Sequence, residues 1–261
     1  MTAALQRSLR ILELLAASPE GCSLSSMAQR LDVPLSATHR VLTELCEAGY
    51  VRQLSEQGQY MLTIKLVSMG LSFLSSSGVV DIAQPLLDRL AQESGELVRL
   101  AVRDGDDLVF VAKAQGATRG LRYDPDMGLS VPLSCSAAGH ALLSTMSDDD
   151  ALALVERQGF GNPADHGPRA PTTPKALLAH VRAARKRGFS LIVEVFAPGM
   201  SAMSAAIRAR DGGALGVVTI AGPLIRLSEP RMLELGPALV ATAAEIAGAS
   251  QASAFFKRRP A

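Results

Sequence analysis

The stretch from residue 24 to residue 62 constrains this chain most. Leu24, Met27, Ala28 and Leu31 fall at i, i+3, i+4 and i+7, the single apolar stripe of a short amphipathic helix. Asp32-Val33-Pro34 follows, and Pro34 both stops that helix and suits the start of another. The second helix runs from Ser36 to Ala48, with Gly49 closing it. On a 100° wheel Ala37, Thr38, Val41, Leu42 and Leu45 share the arc that must be buried. Ser36, His39, Arg40 and Thr43 occupy the opposite arc. That face is short, polar and hydrogen-bonding, as a helix entering a DNA groove requires. Tyr50-Val51-Arg52 and Gln59-Tyr60-Met61-Leu62 read as strands around Gln57-Gly58, giving a winged helix-turn-helix with Arg52 available to a phosphate. The partner this implies is double-stranded operator DNA.

Helix pairs of this kind also occur in proteins that never meet DNA, and charge does not decide between the two. Between residues 1 and 77, Arg7, Arg10, Arg30, Arg40, Arg52 and Lys65 stand against Glu13, Glu20, Asp32, Glu44, Glu47 and Glu56. The segment is formally neutral, whereas DNA affinity rests largely on neutralised phosphates. Binding per copy is then weak, and pairing of copies is needed for useful affinity.

The full 261 residues carry a formal charge of +1, so no global field drives the chain onto nucleic acid or lipid. No secretory signal pattern and no bilayer-length apolar run appears, so no membrane partner is expected. The three cysteines, Cys22, Cys46 and Cys135, lie far apart without C-x-x-C spacing. No metal site, disulfide framework or cofactor is expected, and the cytoplasm is the expected compartment.

Four segments follow from the pattern along the chain: 1–64, the winged helix-turn-helix; 65–78, a linker helix and hinge; 79–250, a domain of mixed α and β pattern; and 251–261, a flexible tail. Residues 5–17 form an opening helix with Leu5, Leu9, Leu12 and Leu15 or Ala16 on one side. The linker helix carries Leu66, Met69, Phe73 and Leu74 along a face that either a partner subunit or its own domain covers. Beyond residue 79 the pattern predicts a helix at 81–94 and strands at 97–103 and 108–114, joined by Asp104-Gly105-Asp106-Asp107. A short strand at 119–123, helices at 136–145, 147–158 and 175–188, and strands at 189–195, 202–209 and 215–221 come next. A long helix at 229–249 ends the pattern. This is an α+β domain with a largely antiparallel sheet and helices on one side.

Leu5 to Leu15, the S-A-T-H-R-V-L-T-E-L-C-E-A-G-Y-V run from Ser36, and the later P-L-S-C-S-A-A-G-H-A-L-L, F-A-P-G-M and I-A-G-P segments carry a resemblance. In order and separation over nearly the whole chain, the sequence resembles the IclR family of bacterial transcriptional regulators. The resemblance implies that 79–250 is an effector-binding domain similar to GAF sensors, that the chain forms dimers commonly paired into tetramers, and that transcription is repressed or activated under control of a small organic acid. At the recognition helix the chain departs from the family at Leu35, where Lys is frequent, and at Ala37, where Thr is common.

By its residues alone, Ser134-Cys135-Ser136-Ala137-Ala138-Gly139 is either an ordinary capped helix start or an anion site built on free N–H groups. The resemblance places the effector there. Carried over position by position, it keeps Thr219, the Ala138 and Gly139 amides, and Ser134, Cys135 and His140, with an apolar wall of Leu121, Met127, Leu133, Met200 and Met203. Ala202 stands where the family often has Cys, Ile192 where it often has an acid, Ser201 where it often has Arg, and Ala221 where a serine is common. Fewer polar anchors and adaptable methionines point to an acid with a hydrophobic or aromatic body.

Two other readings remain: a sensor module without DNA binding, and a thiol enzyme using Cys135 with His140. For the enzyme no orienting Asp or Asn is apparent, and no G-x-S-x-G, P-loop or H-E-x-x-H occurs. The expectation is therefore that the chain is not an enzyme.

Overall fold

A computed structural model describes residues 3–54, 58–128, 130–210 and 212–249. Gln57 of the expected wing turn and the expected tail at 251–261 lie outside the described residues. The chain divides into two compact units, Met1–Ser76 and Ser77–Ala261.

In the first unit, α1 (Ala3–Ala16) leads to a two-residue strand β1 (Cys22–Ser23) and then to α2 (Leu24–Leu31) and α3 (Leu35–Glu47). Strands β2 (Val51–Gln53) and β3 (Gln59–Leu62) precede α4 (Lys65–Ser77). Ser23 caps α2 by accepting the Ser26 N–H at 3.3 Å. Asp32 ends α2 with φ +52°, a left-handed conformation that Asp tolerates better than most residues, and the chain reverses there into Pro34. Gly49 takes φ +77° after α3 and turns the chain into the wing. The sheet order is β1-β3-β2, all antiparallel. Met27, Leu31, Val41, Leu42, Leu45, Val51 and Tyr60 close a core with Ile11 and Leu15.

Two sequence expectations change here. On α1 the buried face runs through Ile11 and Leu15, whereas Leu5 and Leu9 are exposed. Of the expected stripe on α4, Leu66 and Leu74 are half-buried while Met69 and Phe73 face solvent beside Val67 and Leu71. Strand β1 was not expected; it exists only by pairing with β3 across the chain, so no local pattern announces it.

The second unit begins with α5 (Val79–Ser94), followed by β4 (Leu97–Asp104) and β5 (Asp107–Gln115) in a hairpin. Asp104 pairs with Asp107, and Gly105 supplies the positive φ that the tight turn needs. Helices α6 (Ala137–Leu143), α7 (Asp148–Gln158) and α8 (Pro174–Arg187) come next, then β6 (Ser190–Val193), β7 (Met200–Arg208), β8 (Ala214–Pro223) and α9 (Glu229–Ala249). The sheet order is β5-β4-β8-β7-β6, antiparallel throughout. No strand forms at 119–123, where Gly120 turns the chain with φ +75°.

Helices cover both faces of this sheet, which corrects the expectation of one. Val98, Leu100, Val102, Met203, Ala205, Ile207, Val218 and Ile220 pack with Leu87 and Leu90 of α5 and with Met232, Leu235 and Leu239 of α9. On the other face Ala101, Phe110 and Val217 pack with Ala138 and Leu142 of α6, Leu154 of α7 and Leu177 of α8. The 21 residues of α9 are apolar enough by composition to cross a membrane, yet Met232, Leu235, Leu239, Ala243 and Ile246 are buried in the core.

Candidate functional site

On α3 the buried arc holds Thr38, Val41, Leu42 and Leu45, and the Thr38 hydroxyl donates to the Pro34 carbonyl at 3.2 Å. Ser36, His39, Arg40 and Thr43 are all exposed. The Thr43 hydroxyl donates to the His39 carbonyl at 3.1 Å, so toward a partner it offers only lone pairs. Arg40 lies 3.8 Å from the Glu44 carboxylate, and its side chain remains 74% exposed. Arg52 is exposed on β2 opposite Met61.

In the second unit a cavity of about 180 Å³ lies on the face of the sheet that α6 covers. The register sets its floor. Arg99 of β4 faces Thr219 of β8, which faces Ser204 of β7; the next row on this face is Ala221, Ala202 and Ile192. Phe110, Tyr123, Phe196 and Met200 wall the space above.

Of the effector residues expected from sequence, the cavity gathers Ala138, Met200, Ala202 and Thr219. The others lie elsewhere. Leu121 is exposed, with its carbonyl accepting from Arg226 at 2.9 Å. Met127 and Leu133 pack into the core around α7 and α8. Met203 points to the opposite face of the sheet, against α5 and α9, because the strand alternates. Ser134 is buried, its hydroxyl donating to the Phe160 carbonyl at 3.2 Å. Gly139 is closed off, since a Cβ there would sit 2.4 Å from the Leu133 Cα and carbonyl oxygen. Its N–H donates to the Ser136 hydroxyl at 2.9 Å and is already satisfied.

Cys135 and His140 are both buried but do not face each other as a nucleophile and base. His140 Nε2 donates to the Ser134 carbonyl at 2.7 Å, its ring 5.0 Å from that of His180. Burial brings its pKa down to about 4 and keeps it neutral. The Cys135 thiol lies 3.5 Å from His166 instead, and burial pushes its pKa up to about 11, away from the reactive thiolate.

Arg99, Phe110, Tyr123 and Phe196 line the cavity without having been expected there, and Ile192, Ser201 and Ala221, named from the resemblance as departures, line it too. The Arg99 side chain is buried at 8% relative exposure, and its Nε has no hydrogen-bond partner. Its guanidinium carbon stands 3.6 Å from the Phe110 ring centroid and 5.8 Å from that of Tyr123. Burial lowers the Arg99 pKa, with the neighbouring Tyr123 pulling the other way. The Ser201 hydroxyl is also buried without a partner.

A winged helix-turn-helix with an uncovered polar helix, joined to an α+β unit with a half-open apolar cavity, defines a ligand-responsive DNA-binding regulator. The family description "IclR helix-turn-helix domain" matches residues 4–55, and "Bacterial transcriptional regulator IclR C-terminal" matches residues 71–248. The chain belongs to the IclR family of bacterial transcriptional regulators, which are not enzymes, and its C-terminal domain is the effector-binding one. It is 32% identical over 244 residues to the transcriptional repressor IclR of Escherichia coli K12, covering 93% of this chain and 88% of that one. The IclR regulator of Alicyclobacillus acidocaldarius has the same fold, with a TM-score of 0.82, 20% identity and coverage of 96% and 99%. So does an IclR homologue of Microbacterium hydrocarbonoxydans complexed with 4-hydroxybenzoate, at a TM-score of 0.78, 21% identity and coverage of 96% and 100%.

Proposed function

We propose that this regulator binds operator DNA through the exposed face of α3 and that a small organic acid, bound in the C-terminal cavity, controls that affinity. The observation that carries the DNA half is the joint exposure of Ser36, His39, Arg40 and Thr43 on one side of a helix whose other side is buried. His39 and Arg40 contact bases or backbone, Ser36 and Thr43 flank them, and Arg52 on the wing meets a phosphate. The chain acts in the cytoplasm, as a dimer or a pair of dimers. The exposed apolar side chains of Leu5 and Leu9 on α1 and of Val67, Leu71 and Phe73 on α4 support self-association. Pairing also supplies the affinity that one neutral DNA-binding unit lacks.

The effector half rests on the cavity, which is apolar over most of its wall and small beside the roughly 300–1,000 Å³ of drug-sized sites. The Microbacterium homologue's complex with 4-hydroxybenzoate supports an aromatic acid. Fluorescence anisotropy with the DNA upstream of the chain's own gene tests both halves. Specific retention that shifts when a panel of small carboxylic acids is added is the expected result. Equal affinity for scrambled DNA refutes the first half, and indifference to every acid refutes the second.

A further inference from the structure

We propose that Arg99 is the anchor for the effector's acid group, so that the cavity selects a small monocarboxylate with a flat apolar body whose head lies on β4. The proposal rests on the reading of this cavity as the effector site.

A guanidinium taken out of water without a counter-charge is costly, and proteins ordinarily pair it. Arg99 has no carboxylate within 4 Å among the described residues. The acid on the cavity wall, Asp126, is exposed. What Arg99 has is the face of Phe110, which attracts the cation but uses none of its N–H groups, and the hydroxyl of Tyr123, which is neutral and supplies no counter-charge. The edge of the fork is left for a planar, bidentate acceptor, the geometry of a carboxylate.

The neighbours on the sheet fix the rest of the ligand. The Ser204 hydroxyl donates to the Val218 carbonyl at 2.8 Å, so its contact with Thr219 at 2.9 Å needs the Thr219 proton. Thr219, directly across from Arg99, therefore presents lone pairs only. It suits the cation beside it and offers an anion no donor, which leaves Arg99 to hold the head. The next row, Ala221 and Ala202 with Ile192, is a low apolar floor on which a flat body lies. A two-carbon acid would leave most of the roughly 180 Å³ unfilled. At the start of α6 the Gly139 N–H is already bound to Ser136, so from there only the Ala138 amide on the cavity wall would add to the charge-assisted contact of Arg99.

The test is calorimetric titration of the full chain with benzoate, with benzamide as a neutral probe of the same shape and glyoxylate as a small one. Variants Arg99→Gln and Arg99→Lys alter the anchor, while Ala202→Leu fills the floor away from it. Benzoate should bind more tightly than both other probes. Arg99→Gln should weaken it roughly ten- to hundredfold, with Arg99→Lys between. Without ligand, Arg99→Gln should melt at or above the wild-type temperature, since it removes a buried unpaired charge; a lower melting point would make Arg99 a structural stacking residue and overturn the proposal. Unchanged benzoate affinity in Arg99→Gln, or benzamide equal to benzoate, also overturns it. If Ala202→Leu still abolishes binding in that case, the cavity reading stands and only the anchor falls. If neither variant matters, or no benzoate binds, the ligand class falls as well. Glyoxylate binding more tightly than benzoate refutes the flat body.

Discussion

Replacing Gly139 by alanine sets two physical expectations against each other. Gly139 lies in the first turn of α6, where helix propensity alone favours alanine by about 1 kcal/mol. The added methyl, however, would stand 2.4 Å from the Leu133 Cα and carbonyl oxygen and 2.7 Å from its carbonyl carbon. All three are backbone atoms of a wholly buried residue, so relief requires moving α6 or the segment before it. Overpacking of this kind costs about 1–3 kcal/mol, and a backbone clash this close belongs at the upper end. After the propensity gain, a net loss of about 2 kcal/mol remains. In a domain of this size that lowers the melting temperature by about 4–8 °C. Scanning calorimetry on the full chain reads it. Gly70→Ala in α4 is the control, because nothing lies within 4 Å of its Cβ position and it should melt no lower than wild type. A Gly139→Ala protein as stable as the parent would mean that the helix start is not closed against Leu133. Ligand access to Gly139 would then return as the reason for glycine there.

The remaining expectations concern α3, pH and the thiols. Arg40→Ala should weaken operator binding by about 1–3 kcal/mol in anisotropy titrations if Arg40 reads a guanine, and wild-type affinity removes it from the interface. Glu44→Ala should cost little stability, because an exposed i,i+4 pair is worth about 0.3–0.5 kcal/mol, yet it should tighten DNA binding and steepen its salt dependence; weaker binding contradicts this. His140 stays neutral in the folded chain down to about pH 4, whereas the unfolded chain takes up a proton near 6.5. The unfolded state binds more protons between these values, so stability is full above about 6.5 and is lost as pH falls toward 4. His140→Gln should flatten melting temperature against pH over that window, and an unaltered slope would exclude His140 as its source. Iodoacetamide followed by mass mapping should modify half-exposed Cys46 in the native protein before buried Cys22 and Cys135; early labelling of Cys135 contradicts its placement.

The helix-turn-helix was legible because its signals are local. The Met27–Leu31 stripe, Pro34, the Val41–Leu45 arc and Gly49 each act within a few residues of where they stand. Leu5 and Leu9 misled for the opposite reason. A helical wheel shows that residues share a side, but not whether anything lies against it, and α1 buries Ile11 and Leu15 instead. The number of helix layers did leave a signal. Val217, Val218, Thr219, Ile220 and Ala221 are an almost unbroken apolar run, the mark of a strand covered on both faces. Four of the effector residues expected near α6 were grouped by adjacency in sequence, and they lie outside the cavity. Ser134, Cys135, Gly139 and His140 border the cavity-lining Ser136 to Ala138 along the chain while facing into the protein.

Arg99 is the deeper case. In Leu97-Val98-Arg99-Leu100-Ala101-Val102 it reads as the polar member of a half-exposed strand, yet β4 lies between β5 and β8 and all six residues are buried. A charge in that place breaks the local rule with only the neutral Phe110 and Tyr123 beside it, the kind of inconsistency that concentrates at functional sites. An anion that neutralises it stabilises the effector unit by mass action, by about 2.7 kcal/mol at one hundred times its dissociation constant. Stabilisation alone does not regulate. DNA affinity changes only by the ligand's differential affinity for the two arrangements of the recognition helices, and the same factor must appear as a change in ligand affinity when DNA is bound. Benzoate titrations with and without operator should therefore differ by the factor by which benzoate shifts operator binding. A ligand that binds Arg99 equally well in both would be a passenger, however tightly held.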